Sequence, residues 1–106
     1  WLFAYFLVSI IHMISSKYLY RLKAKVNQHL TQEGVRAFIF GSSLKRETFH
    51  DIDVAIEGAT EKTIRDIKEY FEESTFPYKV DIINLNTVSP AFKNMVLKDN
   101  IIWIKP

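Results

Sequence analysis

The chain has no cysteine, and only three glycines and three prolines among 106 residues. Without cysteine there are no disulfides and no thiolate metal sites, and a reducing, cytoplasmic setting is expected. So few glycines and prolines exclude low-complexity linkers, and no internal repeat is present. Neither sign of charge dominates, with 14 Lys and Arg against 12 Asp and Glu. That balance implies no polyanion partner, so direct nucleic-acid binding is not expected. Lys17, Arg21, Lys23 and Lys25 are read as a solvated helix face rather than a phosphate-contacting stripe.

Long apolar runs are also scarce. The longest, "WLFAYFLVSIIHMIS", stops short of the roughly 20 residues that span a bilayer. It has no basic leader and no clear small-residue cleavage site. Residues 1–16 therefore form an apolar segment of open status, with three readings. It is a helix packed on the domain or a partner, sequence upstream of a start at Met13, or part of a membrane anchor. They are ranked in that order, and a membrane role is not expected. Residues 17–106 are one domain's length, and 48% hydrophobic residues suffice for a core.

What is present alternates between two periods. From Ser16 to Gln32, Leu19, Leu22, Val26 and Leu30 form a helical stripe, with Gly34 beyond its end. "VRAFIF" (35–40) reads as a strand covered on both faces. In "DIDVAI" (51–56), Ile52, Val54 and Ile56 face one way, while Asp51, Asp53 and Ala55 face the other. Gly58 ends that strand, and Thr60 caps a helix with Ile64, Ile67, Tyr70 and Phe71 inward. "YKVDIINL" (78–85) is a third strand. Ser89 and Pro90 start a helix with Phe92, Met95 and Val96 as its apolar face. "IIWI" (101–104) is a last strand. This order predicts an α/β (α+β) fold, a small mixed sheet with helices packed against it.

Chemistry concentrates in the strands. Asp51 and Asp53 share a face about 6 to 7 Å apart, where like charges repel unless a cation divides them. Hard oxygen donors suit Mg²⁺ or Mn²⁺. A lone Asp-x-Asp is more often explained by turn capping, or by pairing with Lys45 and Arg46. Asp81 alters that balance, because it too interrupts an apolar strand. Three carboxylates on neighbouring strands can hold two ions about 3.5 to 4 Å apart, as in-line phosphoryl or nucleotidyl transfer requires. Upstream, Gly41 and Ser42 close a strand. A glycine there lets backbone approach a ligand, and turn amides with the serine hydroxyl can cradle phosphate oxygens. Lys45 and Arg46 could neutralise a triphosphate. Other candidates are weaker. His50 is read as solvent-facing. His12 and His29 are not spaced as ligands. Glu57 is expected at the surface on the isoleucine side. Trp1, Trp103 and the tyrosines are read as core or interface.

"FGSSLKRETFHDIDVAI" followed by "YKVDIINL" resembles the polymerase-β-like nucleotidyltransferases, most closely their minimal nucleotidyltransferase (MNT) group. The resemblance runs from about residue 35 to 104 and rests on Gly-Ser, Asp-x-Asp and a later Asp in order. The spacer between Gly-Ser and Asp-x-Asp, residues 43–50, is shorter than in many members. It also carries Lys45, Arg46 and Glu47 where many have a glycine. By resemblance, Gly41 and Ser42 bind the nucleoside triphosphate. Asp51 and Asp53 ligate metal, and Asp81 completes the site and helps activate the acceptor hydroxyl. The resemblance implies a Mg²⁺-dependent transfer of AMP, or another nucleotide, from ATP to a hydroxyl. Two ions are implied, with Mn²⁺ as an alternative. It further implies a small helical HEPN-type partner protein, an antitoxin role, and an acceptor on that partner. An oligomer is compatible with it. The rival expectation is a non-catalytic nucleotide- or partner-binding module of the same fold.

Overall fold

The computed structural model describes residues 16–40, 51–98 and 101–106. The apolar segment 1–15 and the stretch 41–50, with Gly41, Ser42, Lys45, Arg46 and His50, lie outside the described residues, as does His12. The elements in chain order are α1 (Ser16–His29), β1 (Arg36–Phe40), β2 (Asp51–Glu57), α2 (Glu61–Glu73), β3 (Lys79–Asn84), α3 (Pro90–Lys98) and β4 (Ile102–Lys105). The strands make one mixed sheet in the order β3-β2-β1-β4. β1 is antiparallel to both β2 and β4, while β2 and β3 run parallel.

Two hydrophobic layers sandwich the sheet. On one face, Ala37, Ile39, Ile52, Val54, Ile56, Ile82, Ile102 and Ile104 pack under Leu22 and Val26 of α1, Leu30 just after it, and Ile64, Ile67 and Phe71 of α2. On the other, Phe38, Phe40 and Ala55 pack with Leu85 and Val96, joined by Phe92 and Leu97 of α3. β1 thus contributes to both layers, as its unbroken apolar run requires.

Local signals set most boundaries. The Thr60 hydroxyl accepts from the Thr63 amide at 3.1 Å, which caps α2. The Ser89 hydroxyl does the same for Phe92 at 3.2 Å, with Pro90 first in α3. Gly34 and Gly58 hold φ of 78° and 90°. At Gly58 a β-carbon would stand 2.8 Å from the Gly34 carbonyl oxygen, so bend and close approach both require glycine.

Three expectations need correction. α1 ends at His29 rather than Gln32. The Leu30 amide donates to the Asn27 carbonyl at 3.1 Å, a tightened i to i−3 turn that closes the helix, and the Lys105 ammonium donates to the Leu30 and Gln32 carbonyls beyond it at 2.8 and 3.2 Å. Met95 is 61% exposed, so it is not on the inner face of α3. That face is turned toward Phe92, Lys93, Val96 and Leu97, because Lys93 reaches Glu57. Glu57 is the third correction. Period-two alternation sets it with Asp51 and Asp53, and its side chain is only 20% exposed.

Candidate active site

The parallel pairing of β2 and β3 sets Asp53 opposite Asp81 and Asp51 opposite Lys79. Adjacent strands lie about 4.8 Å apart and alternate residues about 6 to 7 Å apart. The four side chains therefore occupy the corners of a small rectangle on one sheet face. It is the face opposite α1 and α2, because Ile52 and Val54 claim the helix-covered side. Phe40 on β1 flanks Asp53 from the other direction. α3 covers only the far end of this face, over Ala55, Phe38 and Leu85. The carboxylates keep access to solvent: Asp51 and Asp53 are half-buried, and the Asp81 side chain is 43% exposed.

This arrangement brings two candidates side by side and a third two residues away. Asp53 and Asp81 come from strands far apart in sequence, and only the parallel crossover through α2 makes them neighbours. The register of the sheet sets them opposite each other. The placement of Gly41, Ser42, Lys45 and Arg46 lies outside the described residues. Phe40, the residue before Gly41 in sequence, is opposite Asp53.

The donor set fits a hard divalent ion. Mg²⁺ is characteristically bound through one or two carboxylates plus substrate phosphates and retained waters. Asp53 and Asp81 supply such a pair. Among the described residues, no three His, Cys, Asp or Glu side chains stand close enough to enclose an ion by themselves. The Asp81 carboxylate is 3.8 Å from the Lys79 ammonium.

Lys79 is the neighbour the sequence reading did not single out. The signal was available: it lies two residues before Asp81, hence on the same face. A second polar cluster was also missed. Glu57 accepts from Arg36 at 3.0 and 2.8 Å through one carboxylate oxygen, while Lys93 pairs with the other. The Lys93 hydrogen bond, then that of Arg36, holds the Glu57 carboxyl below its ordinary value against the opposing effect of burial. This cluster ties α3 to the sheet and so sets where the cover over the carboxylate face ends. Arg36 also lies over Trp103, 5.8 Å from its ring, and Trp103 meets Phe38 edge-on at 5.2 Å. Trp103 is thus a packing residue at the sheet edge. His29 binds its own helix, with Nδ1 2.9 Å from the Lys25 carbonyl oxygen.

Elsewhere, a cleft of about 290 Å³ lies between α2 and the far end of β3, lined by Glu61, Ile64, Arg65, Lys68, Asn84 and Thr87. It includes none of the carboxylates. Among the described residues, no helix is long and apolar enough to cross a membrane.

Comparison with known proteins agrees with this geometry. Residues 21–105 match the family described as polymerase beta, nucleotidyltransferase. A Methanocaldococcus jannaschii protein provisionally named a protein adenylyltransferase is 31% identical over 85 residues, covering 76% of this chain and 91% of that protein. The four-stranded mixed sheet with its helices accords with the nucleotidyltransferase fold. The chain belongs to the polymerase beta nucleotidyltransferase family.

Proposed function

We propose that this protein transfers AMP from ATP to a hydroxyl on a partner protein, with Mg²⁺ bound at Asp53 and Asp81. The observation that carries the reading is the register match of Asp53 with Asp81 on a solvent-accessible sheet face. The name of the M. jannaschii relative supports a protein as acceptor. A small helical HEPN-type protein is the partner we favour, with this chain acting as its antitoxin.

In the reaction, the acceptor oxygen bonds to the α-phosphorus while the bond to the β-bridging oxygen breaks. Pyrophosphate leaves with that electron pair, and the hydroxyl proton passes to the Asp81 carboxylate. A bound divalent ion would supply charge neutralisation at the α-phosphate and at the leaving group. The chain's own part is to fix the acceptors of that ion on a rigid sheet, with Asp51 two residues along. Gly41, Ser42, Lys45 and Arg46, which follow Phe40 in sequence, are assigned to the triphosphate. Mn²⁺ is an alternative ion, and a second ion is accommodated by the third carboxylate.

One observation favours a second reading, a non-catalytic binding module. Asp81 is engaged by Lys79, and three carboxylates do not converge among the described residues. Intact mass of the HEPN-type partner separates the two. After incubation with the protein, Mg²⁺ and ATP, a gain of AMP units that vanishes with Asp53→Asn is the expected result. An unchanged mass with a stable complex still formed would favour the binding module or a different acceptor instead.

A further inference from the structure

Lys79 has no role in the reading above, yet it occupies one corner of the carboxylate rectangle. Its register partner is Asp51, and its ammonium is 3.8 Å from Asp81. Its side chain is 70% exposed, so packing does not hold it there. Among the described residues, Asp51, Asp53 and Asp81 share the face with this ammonium. Arg36 and Lys93 are committed to Glu57 at the other end of β2.

Consider what this charge does to an arriving ion. A divalent cation at Asp53 and Asp81 must displace the ammonium from Asp81 and then stand close to a like charge. Both effects weaken binding of the bare ion. A nucleotide-bound ion arrives with phosphate oxygens, which give the displaced ammonium a new partner of opposite charge. The lysine stem is long and flexible enough to change partners without moving the strand.

We infer that Lys79 is a positioning residue that competes with bare divalent ions for Asp81 and favours the metal–nucleotide complex over the free metal. The inference rests on the proposed function in assuming that Asp53 and Asp81 are metal ligands. It adds that the selectivity for metal with nucleotide is set by one exposed lysine.

The test is Mn²⁺ binding to the full chain at low ionic strength, followed by electron paramagnetic resonance. Wild type is compared with Lys79→Met, Lys79→Gln, Lys79→Arg and Asp53→Asn, with and without ATP. Because Lys79 is exposed, neither neutral variant is expected to disturb folding, and two of them guard against a local defect in one. An exposed pair of this kind is worth roughly a two- to fivefold change in affinity. Without nucleotide, Lys79→Met and Lys79→Gln should bind Mn²⁺ about two- to fivefold more tightly than wild type. Lys79→Arg should match wild type, and the difference should shrink as salt screens the pair. With ATP present, the neutral variants should lose that advantage or bind the complex more weakly. Equal or weaker Mn²⁺ binding by both neutral variants without nucleotide would overturn the inference. If Asp53→Asn leaves Mn²⁺ binding unchanged, the metal site itself is refuted. If Asp53→Asn weakens it while both neutral Lys79 variants bind no more tightly than wild type, the site stands and the role of Lys79 falls.

Discussion

Replacing Glu57 by glutamine should destabilise the protein at neutral pH and make no difference in acid. Glu57 receives two donors from Arg36 through one oxygen and Lys93 through the other, with a side chain 20% exposed. Hydrogen bonds to charged groups contribute about 1.5–3 kcal/mol each when well shielded. Arg36 and Lys93 are 40% and 38% exposed, so solvent screening reduces the whole to about 1–2 kcal/mol. The Glu57 carboxyl is held below its ordinary value of 4.5, chiefly by Lys93. A depressed native value means the stabilisation is present above 4.5 and is lost as pH falls through that lower value. Urea denaturation at pH 7 should then show the Glu57→Gln midpoint lower by roughly 1 M, given slopes near 1–3 kcal/mol/M. Below the native value wild type carries a neutral carboxyl too, and the two curves should converge. A gap that persists unchanged in acid, or none at pH 7, would refute the reasoning.

Other perturbations read different parts of the account. Gly58→Ala forces a β-carbon to 2.8 Å from a backbone oxygen at φ 90°, and should cost at least about 2 kcal/mol by thermal or chemical denaturation. Thr60→Ala removes the α2 cap and should cost about 1 kcal/mol in the same assay. Lys105→Met releases the Leu30 and Gln32 carbonyls, so hydrogen exchange in the turn after α1 should quicken while the strands stay protected. Asp81→Asn should lower nucleotide transfer at least about 100-fold without lowering the melting temperature, because loss of its exposed pair with Lys79 is offset by removal of a like charge beside Asp53.

The elements were legible because their periods are unmixed. "DIDVAI" alternates strictly, so Asp51 and Asp53 had to share a face, and β2 bears this out. The Thr60 and Ser89 caps and the Gly34 and Gly58 bends followed from residue type alone. What was not legible depends on pairing across the sheet. The Leu30 and Gln32 carbonyls just past α1 are held by Lys105, far along the chain, which no local pattern could announce. The inner face of α3 turns on a lysine reaching a glutamate in β2, so apolar periodicity alone misplaced Met95. The site was half legible. Three strand carboxylates stood out as anomalies, but only the parallel register makes Asp53 and Asp81 partners and sets Lys79 among them.

That partnership is the central claim, and anomalous diffraction tests it most directly. Crystals of the full chain would be soaked with Mn²⁺ and a non-hydrolysable ATP analogue, and data collected at the manganese edge. The account predicts an anomalous peak within coordination distance of both Asp53 and Asp81, with analogue phosphate completing its shell. A peak ligated elsewhere, or bound analogue with no metal at these two carboxylates, would contradict it.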